Sequence, residues 1–287
     1  VVTGVGASLP KTIVTNKDLT ERVDTSEEWI VERTGIQERR IASDNETTSS
    51  LGAEAAKFAL KNAKLENTDI DMIVLATATP DNTFPASATV IQSSLGIENC
   101  YAYDMQAVCS GFVFALEAAD NAIKTGKVKN ALVIGSETFS RILDWNDRGT
   151  CVLFGDGAGA VVLSSYEGSD RGILSNHLHS DGRYGDLLYV DGGPSTTTNV
   201  GYLRMDGQGV FKHAVKNISS VIEEALDYNN LKVEDIDWFV PHQANIRILE
   251  SVAKKVGLNE DKIIVTCLLY TSDAADERSS VDLGGRR

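Results

Sequence analysis

An internal repeat constrains the fold of this chain more than any other feature of its sequence. Residues 65–74 (LENTDIDMIV) align without gaps with residues 231–240 (LKVEDIDWFV), so that Asp69 corresponds to Asp235 at an offset of 166 residues. In both copies a helical pattern precedes the repeated stretch, and a loop with an amphipathic helical pattern follows it. Repetition of such a unit predicts a duplicated domain with two similar halves.

Apolar runs of strand length alternate with helical patterns along the chain. Residues 71–77 and 131–135 are near-continuous apolar runs, which is typical of strands covered on both faces. Apolar residues recur at helical spacing over 47–63 and 112–123. This alternation of strands and helices predicts an α/β fold.

A glycine-rich run at 155–159 (GDGAG) resembles a nucleotide-binding loop at first sight. It lacks the G-x-G-x-x-G spacing, and a strand pattern follows it where a phosphate-binding loop would lead into a helix. We therefore predict a tight turn between two strands, at 152–154 and 160–163.

Composition excludes several classes of function. The 287 residues carry a formal net charge of −14, which argues against general binding to nucleic acid or to an anionic membrane. The four cysteines lack metal-ligand spacing and are too few for a disulfide framework. No apolar run approaches the roughly 20 residues that span a bilayer, and the N-terminus has no signal-peptide pattern. These observations predict a cytoplasmic protein without a metal site.

The stretch 103–112 (YDMQAVCSGF) places a single cysteine, Cys109, where a strand pattern gives way to a helical one. Small residues flank the cysteine, as a tight turn requires. Unpaired backbone N–H groups at a helix start favour a thiolate. The alternative is a buried structural cysteine, because free cysteine often behaves as a small hydrophobe.

The second copy of the repeat delivers a histidine to the corresponding place. Its strand pattern ends in Pro241-His242-Gln243-Ala244-Asn245, and open α/β sheets bind ligands at the carboxyl ends of their strands. If the two halves pack together, Cys109 and His242 can meet, and a thiol beside an imidazole suits nucleophilic acyl transfer. A structural role for His242 is the alternative.

Five motifs together resemble the β-ketoacyl-acyl carrier protein synthase III family, the thiolase-fold enzymes that initiate type II fatty acid synthesis. They are TSEEWIVERTGIQERRIA (25–42), TFPASATVIQSSLGI (83–97), AVCSGF (107–112), DRGTCVLFGDGAGA (147–160) and PHQANIR (241–247). The resemblance implies a five-layered αβαβα fold of two pseudo-duplicated halves and a homodimer. We place the first half at 1–165 and the second, apparently truncated, at 166–266.

The resemblance also implies a reaction. Cys109 would accept an acyl group from acyl-coenzyme A, and malonyl-acyl carrier protein would lose CO2 and condense with the acyl group to give a 3-oxoacyl-carrier protein. His242 would donate a hydrogen bond to the malonyl thioester oxygen, and the backbone N–H of Cys109 would serve the acyl oxyanion. Acyl-coenzyme A and malonyl-acyl carrier protein are substrates, and no cofactor is implied.

The same resemblance assigns binding roles by position. Residues expected to bind coenzyme A and its pantetheine arm are Thr25, Trp29, Arg33, Arg148, Gly207 and Asn245. Phe84 is expected in the acyl pocket of the partner subunit. Residues expected to dock the acidic carrier protein are Lys212, Gln243, Ala244, Asn245, Ile246, Arg247, Lys254 and Lys255. A solvated charged face is the alternative for Lys254 and Lys255.

The family pattern breaks off after Thr266. The family carries its third catalytic residue, an asparagine, beyond this point, whereas this chain has no asparagine after Asn259. We interpret residues 267–287 as a non-native tail. Two other functions remain open: an acyltransferase of the thiolase superfamily from secondary metabolism, and an acyl-carrier-binding module that cannot condense.

Overall fold

A computed structural model describes residues 1–169 and 171–266, so the predicted tail at 267–287 lies outside the described residues. The strands are β1 (Val2–Ser8), β2 (Thr12–Thr15), β3 (Glu38–Ile41), β4 (Met72–Ala76), β5 (Tyr101–Met105), β6 (Asn130–Thr138), β7 (Asp156–Ser164), β8 (Leu188–Val190) and β9 (Leu203–Met205). The α-helices are α1 (Asn16–Thr20), α2 (Glu27–Thr34), α3 (Thr48–Ala63), α4 (Ser87–Ser94), α5 (Gly111–Lys124), α6 (Gly207–Asn229) and α7 (Ile246–Val256).

The first half is built on a five-stranded sheet with the order β1-β7-β6-β4-β5. Strand β4 is parallel to both β5 and β6, whereas β7 is antiparallel to β6 and to β1. Strands β2 and β3 form a separate antiparallel pair, as do β8 and β9. Because the parallel strands end together, the carboxyl ends of β4, β5 and β6 share one edge of the sheet.

Helices cover both faces of this sheet and bury its apolar strands. Helices α3 and α4 pack on one face, where Leu60, Ile73, Ile91 and Ile134 are buried. Helix α5 covers the other face, where Val74, Ala115 and Val133 are buried. Both faces of the central strands are therefore apolar, which explains their near-continuous hydrophobic runs.

The duplication predicted from the sequence is visible in matching hydrogen bonds. In the first copy the N–H of Glu66 donates to Asp69 Oδ2 at 2.8 Å, and in the second the N–H of Lys232 donates to Asp235 Oδ2 at 2.8 Å. Helix α4 packs against α3, and α7 packs against α6 in the corresponding way. The repeated unit thus adopts the same local structure twice.

The strand predicted before Pro241 in the second copy is wrong in extent. It forms one isolated parallel bridge, between Phe239 and Ile263, where the first copy has the full β4–β5 ladder. Within the described part of the second half, the edge of this segment that faces away from Ile263 has no neighbouring strand, so the pairing that would extend it is not formed.

The predicted turn at 155–159 is also wrong. Residues Asp156–Ser164 form the single strand β7, and two glycines of the run lie inside it, with Gly157 opposite Glu137 and Gly159 opposite Gly135. Glycine is unusual within a strand because it offers no side chain to pack. Here neighbouring strands on both sides, β1 and β6, hold the backbone extended.

Candidate active site

Cys109 lies on a short turn between β5 and α5. A 3₁₀ turn at Val108–Ser110 leads directly into α5, which begins at Gly111. Val108 has a φ of 48°, a conformation that a β-branched residue rarely adopts. Such strain persists only where the surrounding structure enforces it, and it is common at functional sites. The turn therefore holds Cys109 in a fixed place at the start of α5, as the sequence predicted.

The electrostatic surroundings of Cys109 favour the thiol in the resting protein. Its side chain retains an exposed surface, yet protein atoms crowd the sulfur, and desolvation raises the pKa of Cys109 to about 11, with a further increase from Glu137. The start of α5 acts in the opposite direction, because its N–H groups favour negative charge. Formation of a thiolate therefore needs a group that removes the proton during the reaction.

Glu137 is a buried acid beside this cysteine that the sequence analysis did not single out. It lies near the end of β6, and its carboxylate accepts hydrogen bonds from Thr77 Oγ1 (3.2 Å), from the N–H of Ala78 (2.7 Å) and from Thr79 Oγ1. Burial nevertheless raises the pKa of Glu137 to about 7. The sequence feature that could have identified Glu137 is its position: it is a carboxylate at the carboxyl end of a buried apolar strand.

We expect Glu137→Gln to remove a pH dependence of stability. Between the ordinary pKa of 4.5 and the folded value of about 7, the unfolded chain loses this proton while the folded chain keeps it. The free energy of unfolding therefore falls with rising pH across this window, by up to about 3 kcal/mol. Urea unfolding at pH 5 and pH 8 should show that fall in the parent chain and a smaller one in the variant.

The matched control for this prediction is Glu54→Gln, which alters an exposed acid on α3 that pairs with Lys57. Its pH dependence should equal that of the parent chain. If the free energy of unfolding of Glu137→Gln falls between pH 5 and pH 8 as much as that of the parent chain, Glu137 does not carry the proton.

The loop that precedes α7 carries His242, which is exposed. The amide of Gln243 is buried within the chain: its Nε2 donates to the carbonyls of Pro241 and Ile264 at 3.0 Å, and its Oε1 accepts from the N–H of Thr266 at 2.7 Å. Asn245 caps α7, since its Oδ1 accepts from the N–H of Ile248 at 3.2 Å. These bonds fix the loop and set the position of His242.

The structure brings together three of the residues expected to bind a nucleotide. The guanidinium groups of Arg33 and Arg148 each lie 4.9 Å from the centre of the Trp29 ring. Arg148 also donates to the carbonyl of Asp24 at 2.8 Å. The hydroxyl oxygen of Thr25 is buried without a hydrogen-bond partner among the described residues. Such an orphaned group next to an aromatic-cation cluster favours a polar ligand.

A basic surface adjoins this cluster. Helix α7 packs against α2, which carries Trp29 and Arg33. Residues Arg247, Lys254 and Lys255 of α7 are exposed, as is Lys212 of α6, whereas Ala244 and Ile246 are half-buried. A local positive surface is therefore present in a protein of net negative charge.

Two further predicted positions are accessible. Phe84 lies in the loop before α4 with 83% of its surface exposed. Gly207 is the first residue of α6, and a Cβ there would meet only the Cε of Met205, at 3.7 Å. The fold itself therefore does not require glycine at this position.

A thiolase-type α/β fold with a cysteine at the start of a helix that packs on the sheet defines a class of acyl-transferring condensing enzymes. The sequence model for 3-oxoacyl-[acyl-carrier-protein (ACP)] synthase III matches residues 103–182, and the model for the C-terminal part of that family matches residues 226–272. The chain belongs to this family, because it is 63% identical over 269 residues to the beta-ketoacyl-[acyl-carrier-protein] synthase III of Rhodospirillum centenum, with 93% of this chain and 83% of the relative covered.

Other relatives agree with this assignment. The Rhizorhabdus wittichii protein of the same name is 60% identical, with 96% of this chain and 86% of the relative covered. The crystal structure of 3-oxoacyl-[acyl-carrier-protein] synthase III from Aquifex aeolicus superposes with a TM-score of 0.91 at 44% identity, covering 96% of this chain and 86% of that chain. The predicted family and fold class are confirmed. Among the described residues, no helix is long and apolar enough to cross a membrane.

Proposed function

We propose that this chain is a condensing acyltransferase that starts fatty acid synthesis. It takes an acyl group from acyl-coenzyme A onto Cys109 and condenses it with malonyl-acyl carrier protein, releasing CO2 and forming 3-oxoacyl-acyl carrier protein. The observation that carries this proposal is the placement of Cys109 on a strained turn at the start of α5, in a chain whose relatives are named as synthases of this type.

The first half-reaction is a transfer between thiols. Cys109 attacks the thioester carbonyl, the bond from that carbonyl to the coenzyme A sulfur breaks, and coenzyme A leaves as a thiol with the proton that Cys109 gave up. The backbone N–H of Cys109 stabilises the oxyanion of the tetrahedral intermediate. A hydrogen-bond donor aimed at such an oxyanion contributes about 3 kcal/mol.

The second half-reaction forms a carbon–carbon bond. The malonyl group loses CO2, and the electron pair of the broken bond forms an enolate, whose oxygen receives a hydrogen bond from His242. The enolate carbon attacks the acyl carbonyl, the bond from that carbonyl to the Cys109 sulfur breaks, and the resulting thiolate takes a proton from water. No cofactor enters either step.

Coenzyme A binds, in this proposal, at the Trp29 cluster. Adenine is a flat π system that stacks on an aromatic ring as a guanidinium does, so it can lie between Trp29 and Arg148. The unpartnered hydroxyl of Thr25 gains a hydrogen bond, and Arg33 pairs with a phosphate. Gly207 and Asn245 border the pantetheine arm. The open space beside Gly207 supports this placement, because the absence of a side chain there leaves room for a ligand.

We expect Trp29→Ala to raise the KM for acyl-coenzyme A by about 5- to 150-fold, since loss of base stacking costs roughly 1–3 kcal/mol. The value of kcat should change little, because the stacked ring is far along the ligand from the reacting thioester. Steady-state kinetics with varied acyl-coenzyme A measure both constants. Phe58→Ala, which removes an exposed ring from α3, should leave KM unchanged; an equal rise in both variants would contradict the binding role.

The acidic carrier protein docks, in this proposal, on the exposed basic residues Lys212, Arg247, Lys254 and Lys255. Ala244 and Ile246 border that surface, and Asn245 and Gln243 hold the loop beside it. These four residues contribute to the shape of the docking surface, while the exposed cations attract the acidic carrier protein.

We expect the double variant Lys254→Glu/Lys255→Glu to raise the KM for malonyl-acyl carrier protein by about tenfold or more at low salt, because electrostatic steering is reversed. The difference should shrink at high salt, where exposed charges are screened. Kinetics at two ionic strengths test this. The paired change Lys57→Glu/Lys61→Glu on α3 keeps the same net charge and should leave KM unaltered; an equal effect there would mean that only net charge matters.

A homodimer completes the site. An aromatic side chain as exposed as Phe84 suits burial against a partner, and in this proposal it reaches into the partner subunit's acyl pocket. The enzyme acts in the cytoplasm, where its carrier and coenzyme A substrates are handled.

A condensation assay tests the function. The full chain, acetyl-coenzyme A and malonyl-acyl carrier protein should yield CO2 and 3-oxobutyryl-acyl carrier protein. One observation favours a second candidate: residues 260–287 contain no asparagine, whereas the resemblance places the family's third catalytic residue, an asparagine, after Thr266. If Cys109 is acylated and no condensation follows, the chain is an acyl-accepting protein that cannot condense.

A further inference from the structure

The loop that carries Phe84 is fixed at both of its ends by aspartate side chains. Between those ends, residues 82–85 are exposed, and Phe84 has 83% of its surface exposed. The position of the Phe84 ring therefore depends on how the two ends of the loop are held. One anchor is Asp81, where the loop begins, and the other is at the start of α4, where the loop ends.

Asp81 ties the beginning of the loop to the start of α3. Its Oδ1 accepts from the N–H of Ser49 at 2.9 Å, and its Oδ2 accepts from the hydroxyl of Ser49 and from that of Thr47, the latter at 3.3 Å. The N–H of Asp81 donates to Oγ of Ser87 at 2.9 Å, and Ser87 is the first residue of α4. This last hydrogen bond joins the two ends of the loop to each other.

Asp104 holds the other end of the loop from a neighbouring strand. Helix α4 follows Ala86, whose side chain makes no capping hydrogen bond, and the first N–H groups of a helix have no acceptor within the helix. Asp104 of β5 supplies the acceptors: its Oδ2 accepts from the N–H of Ser87 at 2.8 Å, and its Oδ1 accepts from the N–H of Ala88 at 2.7 Å. A carboxylate that binds two N–H groups in this way fixes both the position and the direction of the helix start.

Asp104 also belongs to the strand that leads to the nucleophile. It lies five residues before Cys109, and it pairs in register with Leu75 of β4, near the edge of the sheet at which the parallel strands end. One carboxylate therefore connects the strand of Cys109 with the loop of Phe84.

We propose that Asp104 is a positioning residue that controls which acyl groups the enzyme accepts. This inference rests on the proposed function, in which Phe84 reaches into the acyl pocket of the partner subunit. The room in that pocket depends on where the ring lies, and the ring is three residues from the helix start that Asp104 holds. With this anchor the ring keeps one position and rejects acyl chains that do not fit; without it the ring yields and the discrimination declines.

The test measures the second-order rate constants with which acetyl-, butyryl- and octanoyl-coenzyme A acylate the full chain, from the release of coenzyme A in a single turnover. In Asp104→Asn one of the two acceptor oxygens becomes an NH2 group, which cannot accept from a helix N–H. The selectivity ratio, defined as the rate constant of the best of the three substrates over that of the poorest, should fall at least fivefold. Ser87→Ala, a milder change that removes the hydroxyl joining the loop ends, should lower this ratio at least twofold.

Asp71→Asn is the matched control. Asp71 also holds two backbone N–H groups of another segment, because its Oδ2 accepts from the N–H of Lys129 at 2.7 Å and from that of Asn130 at 3.0 Å. It precedes β4, however, and so lies at the opposite edge of the sheet from Cys109. The selectivity ratio of this variant should stay within twofold of the parent value, which separates positioning of the loop from a general loss of stability.

A double variant shows whether Asp104 acts through the Phe84 ring. In a Phe84→Ala background the ring is absent, so the addition of Asp104→Asn should change the selectivity ratio by less than twofold, and the two changes are then non-additive.

Hydrogen exchange gives a readout that is independent of catalysis. In Asp104→Asn the amide that loses its acceptor, that of Ser87 or that of Ala88, should exchange at least tenfold faster than in the parent chain. In Asp71→Asn both amides should exchange at the parent rate.

Several results would overturn the proposal. They are an unchanged selectivity ratio in a folded Asp104→Asn variant, an equal fall in Asp71→Asn, the same effect of Asp104→Asn with and without the Phe84 ring, or equal acylation of the parent chain by all three substrates. A parent chain that accepts an acyl group from none of the three would instead contradict the proposed function, on which this inference rests.

Discussion

Replacing Cys109 with alanine is expected to abolish acyl transfer and condensation, with a fall of at least about a thousandfold in both rates. In both half-reactions the sulfur of Cys109 carries the acyl group, and removal of a nucleophile eliminates the pathway that it provides. Transfer of a radiolabelled acetyl group from acetyl-coenzyme A measures the first rate, and formation of 3-oxobutyryl-acyl carrier protein measures the second.

Cys100→Ala is the matched control, because Cys100 is a half-buried free cysteine at the entrance of β5. Its acyl-transfer rate should stay within about twofold of the parent, as expected for a change remote from the site. The folded state of Cys109→Ala should be intact, since the variant removes one atom from an exposed side chain. Retained acyl transfer in a folded Cys109→Ala variant would refute the assignment of the nucleophile.

Replacing Gly6 with alanine is expected to destabilise the fold by about 3 kcal/mol or more, the upper range for overpacking in a core. A Cβ on Gly6 would collide with the carbonyl oxygen of Ala55 and with the backbone nitrogen of Ala59. Both are backbone atoms of α3, so no side chain can move aside. Either β1 or the whole helix must shift, and urea unfolding measures the cost.

Gly182→Ala is the matched control for this variant. A Cβ at Gly182 meets nothing within 4 Å, so we expect a change of less than about 0.5 kcal/mol, as for other surface substitutions. If Gly6→Ala unfolds at the same urea concentration as Gly182→Ala, α3 does not pack as closely on β1 as the structure shows.

The features that sequence predicted well are those fixed by local pattern. Continuous apolar runs identified β4 and β6, and helical spacing identified α3 and α5, since these patterns follow directly from which faces are buried. The position of Cys109 at the start of α5 follows from the same local signals.

The features that sequence missed depend on distant neighbours. The glycines of β7 are held in a strand by β1 and β6, which no local window contains. The segment at 237–240 has strand composition but lacks a neighbour on its inner edge among the described residues. The surroundings of Glu137 depend on the fold, because the loop at Thr77–Thr79 that donates its hydrogen bonds is 58 to 60 residues away in the sequence.

The central claim is that Cys109 accepts an acyl group. The most direct measurement is mass spectrometry of the full chain after incubation with acetyl-coenzyme A, followed by digestion and fragmentation of the peptide that contains Cys109. The account predicts one added acetyl group, carried by Cys109, which hydroxylamine removes because it is a thioester. An acetyl group found only on other residues, or no adduct at saturating acetyl-coenzyme A, would contradict the account.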